Sequence, residues 1–182
     1  MEEKVKRIKS LGLKTYQRTS EEEIDLARWW ERLRISEECN DLFPSNDISL
    51  TRFLNFFVSG KVILHYSLSN GDIATAAWLE QASHAHEHCM YISWWASEPA
   101  RRTKQFIRQT FAVLDLYTTA VPTLMAFGPV ERIEDLQKKL GFVILGSVPN
   151  MFNGRDCNVM YITRDLFESS QFYPTGVKLI GE

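Results

Sequence analysis

No stretch of this sequence approaches the roughly 18 consecutive apolar residues of a membrane-spanning helix, so no membrane partner is expected. Cysteine is scarce: Cys39, Cys89 and Cys157 are widely spaced and odd in number. That argues against a disulfide framework and for reduced thiols in a cytoplasmic compartment. An excess of one charge is also lacking. Lys and Arg number 21 against 23 Asp and Glu, a net charge of -2, which leaves no whole-chain field to attract nucleic acid. The opening MEEKVKRIKS has no apolar core, so no secretory leader is expected. Internal repeats and low-complexity tracts are missing, which excludes solenoids and long linkers. Glycine numbers only nine, and none falls in the basic stretch SEPARRTKQFIRQT from Ser97 to Thr110.

What is present suits one globular domain over residues 1–182, with 1–12 as a frayed lead-in and 169–182 as a tail. The hydrophobic content of 45% is enough to bury a core without disulfides or metals. Leu13 to Arg18 reads as a short strand. SEEEIDLARWWERL reads as a helix capped by a Ser20–Glu23 box, with Ile24, Ala27, Trp30 and Leu33 as its apolar stripe. A second helix is expected up to Phe57, with Asp47 or Ser49 as its cap. Two apolar runs flank Asn70-Gly71, a hairpin signal. CMYISWWA is a strand in which Trp94 and Trp95 break alternation, through a β-bulge or through burial on both faces. Pro99 opens a helix to about Tyr117, with Phe106, Thr110, Val113 and Leu114 on one face. PTLMAF is a strand, and Val130 to Leu140 a helix ended by Gly141. FVILGSV and NVMYITR are strands joined at Asn153-Gly154. Alternating strands and helices in the middle require parallel pairing, and the hairpins require antiparallel pairing. The expected fold is a mixed, splayed α/β sheet of about six or seven strands with about four helices.

HAHEH places His84, His86 and His88 at every second residue, a spacing that puts all three on one face of a strand. The stretch lies where a polar loop is expected, and no Cys/His pair completes a zinc pattern, so no metal is assigned. Cys89 and Cys157 fall in or beside apolar runs and read as packed thiols. Five tryptophans, Trp29, Trp30, Trp78, Trp94 and Trp95, read mainly as core. Trp78 with one of the last two suits an apolar cleft at the sheet centre, and tryptophan equally suits an interface.

The ordered passages YISWWASEPARRTKQFIRQTFAVL, LQKKLGFVILGSV and NVMYITRDLF, within residues 13–168, resemble the Gcn5-related N-acetyltransferase superfamily. Their combination is similar to short acetyltransferase-like proteins of tailed phages, which would place the protein in a host's cytoplasm. The resemblance implies a sheet splayed between its fourth and fifth strands, with acetyl-CoA in the opening. It implies that backbone at Trp95 and Ala96 pairs with pantetheine. It further implies that the turn of Arg101, Arg102, Thr103, Lys104 and Gln105 holds the pyrophosphate at a helix start. Two departures accompany it. With Arg102 as the leading residue of the family's loop, Gln105 and Ile107 stand where small residues are usual, and Thr103 where a further glycine is frequent. Gln137 stands at the family's tyrosine acid, and Val130 at its asparagine.

Acetyl transfer to an amine needs a base and an acid. Glu80, Glu87 and His88 are the open candidates for the base, and Tyr161 for a late acid. The expected function is acetyl-CoA-dependent N-acetylation of an amine on a small molecule or protein. The alternative is a catalytically inactive domain of the same shape that binds and modulates a host protein.

Overall fold

The alternation of apolar residues along the chain switches between strand and helix periods, and the elements follow it. The computed structural model describes residues 13–35, 62–81, 88–97, 104–130, 137–152 and 154–181. Their elements are, in order, β1 (Lys14–Thr15), α1 (Ser20–Arg34), β2 (Val62–Ser69), β3 (Asp72–Gln81), β4 (Cys89–Ser97) and α2 (Lys104–Ala120). There follow β5 (Thr123–Pro129), β6 (Val143–Phe152), β7 (Arg155–Ile162), α3 (Arg164–Glu168) and α4 (Tyr173–Gly181). The sequence-predicted helix up to Phe57 lies outside the described residues.

The cap of α1 sits one residue earlier than the expected Ser20–Glu23 pair. Thr19 Oγ1 accepts from the Glu22 amide at 3.2 Å, and Glu22 Oε2 accepts from the Thr19 amide at 3.3 Å. The buried stripe moves as well. Leu26, Trp29, Trp30 and Leu33 are buried, while Ile24 is 53% exposed. The i, i+3, i+4, i+7 spacing of that set buries both indoles at once, which the expected stripe through Ile24 and Ala27 does not.

The strands form one seven-stranded sheet in the order β1-β2-β3-β4-β5-β7-β6. The β4–β5 pair is parallel, and the other pairs are antiparallel. Asn70 and Gly71 turn the β2–β3 hairpin with φ of 54° and 85°, the positive pair that a type I′ turn needs. Helices flank both faces. His65 Nε2 lies 2.6 Å from the Tyr117 hydroxyl of α2, whereas the Tyr66 hydroxyl donates to Glu22 of α1 at 2.8 Å. Neighbouring strand residues point to opposite faces, so α1 and α2 lie on opposite sides. Under α2, Leu79, Ile92, Leu124, Met160 and Ile162 pack with Val113 and Leu114, all at most 3% exposed. Each such side chain contributes about 1.5–3 kcal/mol by leaving water.

Residues 169–182, expected to be a tail, instead include α4, which packs on α2. Pro174 falls in its first turn, where no amide is required. Phe111 needs cover on that side. The ring centroids of Phe167 and Tyr173 lie 4.9 and 5.7 Å from its own. Arg164 holds the junction, bonding Asp115 at 2.7 Å, Glu168 at 2.6 Å and the Tyr173 hydroxyl at 3.1 Å. Among the described residues no helix is long and apolar enough to cross a membrane.

The helix expected over 130–140 is seen at its two ends, with 131–136 outside the described residues. Gly141 closes it at φ 96°. The Phe142 amide donates to the Gln137 carbonyl and the Gly141 amide to the Lys138 carbonyl, both at 3.0 Å, a Schellman ending. A Cβ on Gly141 would stand 2.4 Å from the Leu166 carbonyl oxygen, whereas one on Gly71, at φ 85°, meets nothing within 4 Å. Gly141→Ala should therefore cost roughly 1–3 kcal/mol more than Gly71→Ala in urea unfolding. Equal losses would show that the carbonyl moves aside freely.

Burial pushes the Glu22 carboxyl up, but hydrogen bonds from Tyr66, Gln17 and Thr19 outweigh it and hold the group below its ordinary value of 4.5. A depressed carboxyl contributes stability above that value and loses it as pH falls through the folded one. Melting temperature against pH should fall less steeply below about pH 4.5 for Glu22→Gln than for the parent, with the variant less stable at pH 7. Parallel curves would refute this role.

Candidate functional site

β4 and β5 are paired from Cys89↔Thr123 to Ile92↔Ala126 and then part. Beyond that point Trp94 to Ser97 pair with β3, and Phe127 to Pro129 pair with β7. The strands open at their carboxyl ends, the side on which the chain leaves β4 toward α2. A β-bulge marks the parting. Leu79 faces Ile92 and Trp78 faces Trp94, which leaves Ser93 as the extra residue. Such a bulge adds local twist and turns β4 away from its neighbour. The bulge lies before the tryptophan pair, and Trp94 and Trp95 then pair regularly with Trp78 and Ala77.

Trp95 and Ala96 lie in the parted segment, opposite Ala77 and Ala76 of β3. Their other edge has no strand partner among the described residues. Open strand edges offer alternating amide donors and carbonyl acceptors to an extended, amide-bearing chain. Arg101, Arg102 and Thr103 lie outside the described residues. Lys104 and Gln105 are the first two residues of α2. Ile107, whose bulk replaces a small residue, is 40% exposed and so does not wedge wholly into the core. Sequence reasoning passed over Arg108, which is half-buried with its Nε buried and without a partner among the described residues. Its position one turn after Lys104 was the available signal.

A second feature crosses the sheet beside the parting. Glu80, Tyr91, Met125, Tyr161 and Val143 are successive cross-strand partners on β3, β4, β5, β7 and β6. Their chain neighbours Leu79, Ile92, Leu124 and Ile162 belong to the core under α2, so the row lies on the other face. Two sequence-predicted catalytic candidates, Glu80 and Tyr161, thus share one face. Three inter-strand spacings put their backbones about 14 Å apart. Each flanks the parting by one strand. His88 sits in an exposed turn at the closed end, where its carbonyl accepts from the Thr123 amide at 3.2 Å. Five residue steps along the strand, about 16 Å, separate it from Ser93. Glu87, His84 and His86 lie outside the described residues. Among those described, no group of three His, Cys, Asp or Glu is arranged to hold a metal.

Gln137 is buried at the base of the Schellman ending, with its Oε1 unpartnered among the described residues. A carboxamide donates hydrogen bonds but does not give up a proton as a phenol does. Val130 is half-buried. Cys89 is half-buried and Cys157 buried, both free. Burial pushes each thiol up, opposed at Cys157 by a hydrogen bond from the Gly128 amide.

No protein-family model matches this chain, and no curated protein matches it. Solved structures do. The ribosomal-protein-S5-alanine acetyltransferase of Vibrio fischeri is similar at 13% identity and a TM-score of 0.66, over 86% of this chain and 95% of that one. AAC(6')-Ib, solved with ribostamycin and coenzyme A, is similar at 15% identity and a TM-score of 0.64, over 88% and 98%. The protein yncA of Salmonella typhimurium, solved with its cofactor acetyl-CoA, is similar at 10% identity and a TM-score of 0.60, over 84% and 94%. The mixed α/β sheet is therefore a Gcn5-related N-acetyltransferase-like fold, and at these identities the likeness is one of fold. The comparisons lend no support to a phage origin.

The raised thiols generate a prediction. With less thiolate present than in a free cysteine, Cys89 and Cys157 should alkylate more slowly at pH 8 in native protein than in urea. Peptide-resolved mass spectrometry reads each site. Native rates equal to the urea rates would reopen a nucleophilic cysteine.

Proposed function

We propose that this protein is an acetyl-CoA-dependent N-acetyltransferase acting on an amine, built as one domain and working in the cytoplasm. The observation that carries the reading is the parting of β4 and β5 beyond Ile92 and Ala126. The residues present fit the cofactor: an open strand edge suits the amides of a pantetheine arm, and the start of a long helix suits a pyrophosphate. When bound, acetyl-CoA supplies an acyl group already activated as a thioester. The backbone of Trp95 and Ala96 would hold the arm. Amides around 101–105, with Arg101, Arg102, Lys104 and the Thr103 hydroxyl, would hold the phosphates. Cations at a helix start oppose the helix dipole, and a bound anion relieves that conflict. Arg108 adds a further cation near that end of α2.

Glu80 is the base that this geometry favours, since it lies one strand from the parting and His88 lies at the closed end. It would accept the proton that the amine loses. Tyr161, one strand away on the other side, would supply a hydroxyl toward the departing sulfur. Gln137 supports a second reading, an inactive domain that binds and modulates another protein, because a buried amide takes the place of a phenolic acid.

Thermal unfolding with acetyl-CoA separates the two. At a concentration 100 times Kd, binding stabilises by about 2.7 kcal/mol, a rise of several degrees in Tm. Joint replacement of Arg102 and Lys104 by alanine should remove most of that rise. No shift at millimolar acetyl-CoA would reject the enzyme reading. A shift without acetyl transfer to any amine would favour the binding domain.

A further inference from the structure

We propose that the acceptor is a cationic amine carrying a flat apolar group, seated on the sheet face that α1 leaves open, with its ammonium at Glu80 and its body over Tyr91 and Phe127. This rests on the acetyltransferase reading and names its substrate class.

The two faces of the sheet differ sharply where β4 meets β5. On the α2 side, Ile92, Leu124, Ala126, Met160 and Ile162 are all at most 7% exposed. On the other side, α1 seals the far half, where Leu64, Tyr66, Ala74 and Ala76 are buried. From Glu80 outward no described helix covers this face: Glu80, Tyr91, Met125, Val159 and Tyr161 are half-buried, and Phe127 is 38% exposed. Tyr91 and Phe127 stack with ring centroids 6.0 Å apart and planes at 25°. Tyr91 precedes the last paired residue of β4, and Phe127 is the first β5 residue beyond the pairing. The stack therefore sits at the vertex of the parting, within reach of a group delivered along it.

Charge decides what this floor takes. The carboxylate of Glu80 and the hydroxyls of Tyr91 and Tyr161 make no hydrogen bond or ion pair with the described residues. Glu80 is the cross-strand neighbour of Tyr91, about 5 Å away in backbone spacing, and Phe127 lies one strand farther on. An acceptor bearing a carboxylate would be repelled by Glu80, whereas an ammonium gains both that carboxylate and the negative faces of the rings. A short spacer between nitrogen and ring matches the one to two strand spacings between Glu80 and the stack.

The probe is phenethylamine, with 3-phenylpropanoate as the same ring bearing the opposite charge and propylamine as the cation without a ring. Binding to the intact chain is followed by ligand-observed NMR, with and without coenzyme A. Phenethylamine should bind roughly tenfold more tightly than either control. Glu80→Gln and Phe127→Ala should each weaken it roughly fivefold or more while leaving the acetyl-CoA thermal shift unchanged. Equal binding of 3-phenylpropanoate, no loss on Glu80→Gln, or no phenethylamine binding in either condition would overturn the proposal. Because these titrations read the amine directly, a failure here beside an intact acetyl-CoA shift rejects the acceptor class alone. Loss of the acetyl-CoA shift rejects the cofactor reading instead.

Discussion

Two parallel strands stop sharing hydrogen bonds after one residue pair, Ile92 and Ala126, and the candidate site follows from that stop. Backbone amides and carbonyls need partners. On β4 the inner edge keeps its partners from β3, and on β5 the outer edge keeps its partners from β7. The facing edges are left to something else. Ser93 makes the separation possible, because its bulge bends β4 while β3 continues in pairing beyond it.

Holding an opening in the middle of a sheet requires rigidity on both sides of it. On one side, α2 is tied to β2 and β3 through polar contacts as well as apolar ones. Gln109 Nε2 donates to the carbonyls of His65 and Thr75, both at 3.3 Å, and the Tyr117 hydroxyl meets His65. Burial pushes the Tyr117 hydroxyl up, so it stays protonated at working pH. On the other side, the Arg164 contacts and the Phe111–Phe167–Tyr173 rings bind α3 and α4 to the same helix. Thus α2 bridges the halves behind the parting, and among the described residues the front face carries half-buried Glu80, Tyr91 and Tyr161 beside exposed Phe127.

Local chemistry was legible in the residues. The hairpin at Asn70-Gly71, the helix end at Gly141, the strand CMYISWWA and the body of the helix after it follow from turn chemistry, caps and periodicity, while the expected helix start at Pro99 lies outside the described residues. The errors were small shifts or missing partners. The α1 cap moved from Ser20 to Thr19 because both positions offer a hydroxyl three residues before a glutamate, and only packing of Trp29 with Trp30 chooses between them. The helix after Phe172 was missed because its apolar face is matched to Phe111, distant in sequence.

By itself, then, the sequence determined the element types, the turns and the mixed pairing, since each depends on residues within about a dozen positions of one another. Tertiary structure alone decided where β4 and β5 separate, that Glu80 and Tyr161 share a face about 14 Å apart, and that His88 lies at the closed end. Those are matters of register between strands distant along the chain. A shift of one residue would turn each side chain to the other face, and no local preference records which register wins.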